Sequence, residues 1–403
     1  MPAALLPLAL ALLAAPTQEK DRVELENGRV LEGTVVYEDD TTVLLRKGSR
    51  DQEIEKEKVK SVESRARALN ALLDAFVDAN AWSVEDEARL AAMARDSNLP
   101  FMERLFWWRV VVLDPQSGQA NESLGHRRKS KAWRVKHGRK SMTLEKAREA
   151  ASDFGNGWEF RTTHFLLRTN LELEAALDLA LDLERLYMGF FDLFQVPLRL
   201  LEVGELMEVH VHADQGSFPE QSDQVGYFLP SDRITRVLAT AAGYRTVFFH
   251  ELVHQLIHFT AVRERTRNGA VAPWVDEGLA IYIASAVRGD PGKIELIPEA
   301  HDSRWFGEHA GAPKPLNLSR VLNLSVGDYI ASSDRNLKYA QSYTLVHYLL
   351  HGDDGSMRQD FLDYLRSSYE GRGSPSDFKK QLSIRKTDDF EESWEAYVKK
   401  NAF

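Results

Sequence analysis

Two histidines four residues apart with a glutamate beside the first, His250-Glu251-Leu252-Val253-His254, are the side chains in this chain best suited to metal chemistry. A helix turns about 100° per residue, so His250 and His254 fall roughly 40° apart, one turn from each other, and both imidazoles can reach one ion. Glu251 falls about 100° from His250, placed to address a water beside the ion rather than the ion. Chance alone puts an HExxH pattern in roughly 3% of chains of this composition, so the surroundings decide. Val247, Phe248, Phe249, Leu252, Val253, Leu256 and Ile257 make the segment apolar on nearly every side, which predicts a buried helix. Two imidazoles and a carboxylate in a buried helix need partners. One zinc ion satisfies both rings; the competing reading is two core histidines bonded to backbone and a glutamate paired with an arginine. With no cysteine in the chain, histidine and carboxylate are the ligands left for a transition metal.

A catalytic zinc ion needs a third protein ligand and an open position. The metzincin continuation, with Gly at 257 and His at 260, is excluded by Ile257 and Thr260. A glutamate from the following helix is the other route, and Glu277, in the run PWVDEGLAIY from Pro273, opens a helix 23 residues after His254. HELVH followed by PWVDEGLA resembles the gluzincin, or thermolysin-like, zinc metallopeptidases of the peptidase-MA type, over roughly residues 226–350. The resemblance implies zinc held by His250, His254 and Glu277 with Glu251 as general base, and Trp274, Gly278, Leu279 and Ala280 match the rest of the Trp-x-x-Glu-Gly-Leu/Ile-Ala pattern. Asp276 points about 100° away from Glu277, so it is expected to support a ligand or face solvent. His258 is expected to pack at the helix end, with an alternative ligand role as the second reading.

The same resemblance implies a tyrosine hydroxyl facing the substrate carbonyl. Tyr339, in Tyr-Ala-Gln-Ser, stands where such enzymes carry Tyr-x-x-Gly, with Ser342 for the glycine; Tyr343 is the second candidate. Tyr339, Tyr343, His347 and His351 recur every four residues, and a stripe packing against the metal helix is the rival account. An edge strand for substrate is expected at Gln224 to Pro230. The G-x-M-E-N element of the aminopeptidase branch is absent, which favours an endopeptidase. The expected partner is therefore a peptide or protein substrate. Two other functions compete: hydrolysis of a non-protein amide or a cell-wall peptide, and a non-catalytic, zinc-containing surface or scaffold protein.

These residues must be positioned by a chain of 403 residues, long enough for two or three domains. The fold class expected is α+β: a zincin-like catalytic domain at 153–403, with a mixed sheet, an active-site helix and a helical C-terminal half. A small all-β SH3-like or Sm-like barrel precedes it at 20–64, where Asn27-Gly28, Asp39-Asp40 and Gly48-Ser49 mark turns between about five short strands. Between them lies a helical region, 65–152, with Leu69, Leu72, Leu73, Phe76 and Val77 as its buried stripe. Phe101, Phe106, Trp107 and Trp108 read as core. Residues 126–140 hold eight Lys and Arg and are expected as a solvated linker; the sharper reading is an anionic-polymer contact with Trp133 stacking. A formal charge of -10 gives no support for nucleic acid as a general partner. The apolar run from Ala3 to Ala15 reads as a signal peptide over 1–17, implying export to a periplasm or the extracellular space, without stable membrane insertion once the leader is cleaved.

Overall fold

The computed structural model describes residues 20–79, 82–219, 224–240, 243–264, 271–330 and 334–402; the run expected as a leader lies outside them. Chain order starts with five strands, β1 (Asp21–Leu25), β2 (Val30–Glu38), β3 (Thr42–Lys47), β4 (Arg50–Glu55) and β5 (Val59–Glu63). They form one antiparallel sheet in the order β4-β3-β2-β1-β5. Alternation does this: Val23, Leu31, Val35, Val43, Leu45, Ile54 and Val62 share a core of their own, with polar residues between them facing out. Gly28 and Gly48 sit at positive φ in the turns anticipated there. Glu202 N–H donates to the Val36 carbonyl at 2.8 Å and ties this sheet to the rest of the molecule.

Ser64 caps α1 (Arg65–Asp78) and Ser83 caps α2 (Val84–Asp96); α3 (Pro100–Leu113) and α4 (Gly118–Ser123) follow. Leu69, Leu72, Leu73 and Phe76 are buried as one stripe, while Val77 is exposed. Phe106, Trp107 and Trp108 are core, and Phe101 lies under the Arg161 guanidinium at 4.1 Å. The basic stretch is not a linker. It folds as β6 (Arg127–Lys129), β7 (Ala132–His137) and β8 (Lys140–Met142), an antiparallel sheet held on the body through buried Val135.

After α5 (Leu144–Ala151) come β9 (Trp158–Arg161) and β10 (Phe165–Thr169), the two strands of an antiparallel hairpin. α6 (Leu173–Leu198) carries Pro197 in its last turn. A proline there forfeits one hydrogen bond near an end that Arg199, at φ 54°, closes two residues later. β11 (Met207–His212), β12 (Gly226–Leu229) and β13 (Ile234–Leu238) complete a mixed sheet, order β12-β13-β11-β10-β9, whose three inner strands are parallel and whose two edges are antiparallel.

The C-terminal half is helical: α7 (Tyr244–Glu264), α8 (Pro273–Ala286), the small hairpin β14 (Val287–Arg288) and β15 (Glu295–Leu296), then α9 (Ser303–Ala310), α10 (Leu318–Leu322), α11 (Val326–Ile330), α12 (Arg335–His351), α13 (Arg358–Tyr369), α14 (Pro375–Gln381) and α15 (Thr387–Asn401). From Leu69 to Val398 the buried apolar residues form one continuous core. Among the described residues no helix is long and apolar enough to cross a membrane.

Candidate functional site

α7 is buried along Phe248, Phe249, Leu252, Val253, Leu256 and Ile257, and its remaining face turns His250 and His254 toward α8. The two rings stand nearly perpendicular, at 88°, with centroids 4.7 Å apart. Their Nε2 atoms are 3.1 Å from each other. Glu277 Oε2 lies 3.3 Å from Nε2 of His250 and 3.4 Å from Nε2 of His254. Adjacent ligands of a tetrahedral zinc ion with bonds of ~2.0–2.1 Å are ~3.3 Å apart, so these three atoms occupy three vertices of such a tetrahedron. They are the one group of three or more His, Asp or Glu with ligand atoms this close among the described residues.

The residues around Glu277 explain how it arrives there. Pro273 starts α8 in its first turn, and Trp274, 1% exposed, stacks on Tyr364 at 6.2 Å and meets Phe378 edge-on at 5.4 Å. Gly278 lets α8 sit against α12: a Cβ there would be 2.6 Å from the Ser342 carbonyl oxygen and 2.7 Å from Val346 Cγ2. Trp274 therefore anchors the helix and Gly278 sets its depth, with the Glu277 carboxylate between them.

Asp276 Oδ1 accepts from His254 Nδ1 at 3.0 Å, so Nε2 is the ring nitrogen turned toward Glu277. Burial disfavours a charged His254, but Asp276 and Glu277 outweigh it and push the ring well above the usual imidazole range. Burial likewise works against a charged Glu277, yet His254 and His250 hold it well below the usual carboxylate range. Glu277 Oε2 is closed from solvent and has no hydrogen-bond donor. A buried oxygen without a donor, facing two ring nitrogens of which one at most can donate to the other, is the arrangement a divalent cation satisfies.

A cavity of about 320 Å³ opens on the His250 side of the triad, lined by residues that include Val247, His250, Glu251, Ile281, Trp305 and Tyr339. Glu251 is outside the triad and faces this space. β12 passes behind it, and a Cβ on Gly226 would be 3.3 Å from Glu251 Cγ and 2.7 Å from Val247 Cγ1. Tyr339 packs its ring 6.4 Å from that of His250 and 5.2 Å from that of Tyr329. Burial first, then the charges of Glu277 and Glu251, push its phenol well above the usual range, so the hydroxyl keeps its proton.

Tyr343 is not at the cavity: it is fully buried and its hydroxyl accepts the Asp302 N–H at 2.9 Å. His347 Nδ1 pairs with the Tyr397 hydroxyl at 2.8 Å and His351 Nε2 with that of Tyr282 at 2.9 Å, so the lower part of the α12 stripe serves packing. His258 lies against the ring of Phe228 at 5.4 Å. Sequence reasoning missed the Asp182–Arg245 pair: Asp182, fully buried in α6, accepts from Arg245 at 2.8 Å in the first turn of α7 and from Gly292 N–H at 2.9 Å. Burial pushes the Asp182 carboxyl up to about 7 despite Arg245. The signal available was weak: Asp182 is one of three aspartates in the Leu-rich run of α6, with Asp178 and Asp192, and nothing in the sequence singles it out. No curated protein matches the chain. Over residues 245–371, which contain all three ligand atoms, Glu251 and Tyr339, it is similar to a family described as "Protein of unknown function (DUF1570)".

Proposed function

We propose that this chain is an exported zinc-dependent peptidase, an endopeptidase with a zincin-like catalytic domain behind an SH3-like barrel. The observation that carries the reading is the 3.1, 3.3 and 3.4 Å triangle of His250, His254 and Glu277 with Glu251 beside it. His250, His254 and Glu277 would hold the ion. Bound there, zinc supplies Lewis acidity, which makes water acidic enough to attack a carbonyl near neutral pH. The Glu251 carboxylate takes the proton of the attacking water and passes it to the leaving nitrogen. The Tyr339 hydroxyl donates to the oxygen on which negative charge develops.

Among the described residues β12 pairs with β13 alone, so its other edge can hold an extended chain by backbone hydrogen bonds beside Glu251. Among the residues lining the cavity, Glu251 is the sole carboxylate. Among the described residues that line it, none but Glu251 is an acid that could hold a free ammonium group, which is in keeping with cleavage within a chain.

Metal analysis and a peptide-library digest test this. One equivalent of zinc, cleavage by the natural chain, and at least about a hundredfold loss in Glu251→Gln with zinc retained are expected. Zinc at one equivalent with no peptide cleaved by the natural chain would make the site a structural one.

A further inference from the structure

We infer that the outer face of the β6–β7–β8 sheet is a docking surface for an acidic, extended polypeptide segment. This does not depend on the peptidase reading. In a chain of formal charge -10, the stretch 126–142 carries eight Lys and Arg and no Asp or Glu. The pleat divides them. Val135, 2% exposed, points inward, and so do Trp133 and His137, two residues either side of it on β7. His137 fixes the sheet to the body: its Nε2 lies 2.6 Å from the Asn156 carbonyl oxygen and its ring meets Trp158 at 4.9 Å.

Arg134 and Lys136 therefore point outward. The register places Arg127 opposite Arg134, Lys129 opposite Ala132 and Ser141 opposite Lys136, so the outer face is Arg127, Lys129, Arg134 and Lys136 with one Ala and one Ser. Among the described residues none of these four cationic side chains has an ion-pair or hydrogen-bond partner. Arg127 and Arg134 are like charges directly across two strands, an arrangement that costs stability unless something anionic lies over it.

The spacing says what that is. Lys129 and Arg127, and likewise Arg134 and Lys136, are two residues apart on a strand, ~6.6–6.8 Å, and the step between the strands is ~5 Å. An extended peptide repeats its side chains on one face with that same ~6.6–6.8 Å period. Lys131 and Arg139, exposed in the two turns, prolong the row at either end. Nucleic acid would call for a stacking platform and a membrane for an apolar anchor, but Trp133 is on the inner face and no exposed large apolar residue of the described chain lies in this sheet.

The test uses the full chain as Glu251→Gln, so that no probe is cut, with anisotropy of a fluorescent peptide of about ten residues alternating Glu and Ser. Its Gln-for-Glu counterpart, an oligo-dT and vesicles rich in phosphatidylglycerol are the competing probes. The acidic peptide is expected to bind, to weaken as salt rises, and to lose about tenfold or more when Arg127, Lys129, Arg134 and Lys136 are all changed to Gln. Lys140→Gln, opposite His137, should stay within about twofold. Removing like charges should leave the melting temperature at or above that of the parent; if the fourfold variant melts earlier, Arg127→Gln with Arg134→Gln carries the same comparison. Equal binding of the Gln peptide, tighter binding of oligo-dT or vesicles, no binding at all, or an unaffected fourfold variant would each overturn the inference.

Discussion

Asp276 Oδ1 lies 3.0 Å from Nδ1 of His254 while Glu277 Oε2 lies 3.4 Å from Nε2 of the same ring. Consecutive carboxylates on one helix thus serve one imidazole from its two sides. Removing such an orienting partner typically costs 10–100-fold in metal affinity. Asp276→Ala is expected to weaken zinc by roughly that factor, with Asp276→Asn in between because the amide oxygen still accepts. Competition with a chelating dye measures it, and unchanged affinity in the Ala variant would remove Asp276 from the site.

The two tyrosines of α12 should separate cleanly. Tyr339→Phe removes a donor at the cavity and is expected to lower kcat by ~10²–10³ with KM little changed. Tyr343→Phe strands the Asp302 N–H and should cost ~1 kcal/mol of stability with kcat intact. Steady-state kinetics beside thermal unfolding read both, and a reversed pattern would exchange the roles.

Gly278 ties the depth of α8 to the reach of Glu277. Gly278→Ala puts a methyl 2.6 Å from the backbone oxygen of Ser342. It should therefore cost ~1–3 kcal/mol and weaken zinc binding as the neighbouring carboxylate is displaced. Leu69→Ala, remote from the site, should lower stability without touching metal affinity. Zinc titration of the two variants distinguishes a ligand-setting glycine from one that merely packs.

A pH effect should arise away from the metal. His164 Nδ1 is 2.7 Å from Glu184 Oε2 and its Nε2 is 3.3 Å from Glu202 Oε2. Burial opposes a charged ring there, but the two carboxylates push it up to about 9. A raised histidine gives its full stabilisation below its unfolded value of ~6.5 and loses it as pH climbs through the folded value. Unfolding free energy should thus fall by up to ~3 kcal/mol between about pH 6.5 and 9, and His164→Gln should flatten the slope. Denaturant titrations across that range check it.

Much of this is readable in the sequence because it is local. Val23, Val35, Val43 and Leu45 alternate within single strands, and His250 and His254 share a helix, so period alone places them. β13 escapes such a reading because Ile234-Thr-Arg-Val-Leu is too short to show a period and is a strand chiefly by pairing with β11 and β12. The 126–142 sheet resembles a linker in sequence because its inward residues, Trp133, Val135, His137 and Met142, are interleaved with cations that mask the alternation. The angle between successive helical residues turns Asp276 away from the point on which His250, His254 and Glu277 converge. That angle rules out two carboxylates on one ion, but not on the two nitrogens of one ring.

The unbroken core from Leu69 to Val398 bears on what can be cut from this chain. The stretch 245–371 holds every atom of the candidate centre, yet Trp274 leans on Phe378, Arg245 is tethered to Asp182, and α7 lies against β12 and β13, all outside it. Excised, that fragment would present its apolar flanks to water, because its core is shared with elements from α1 to α15.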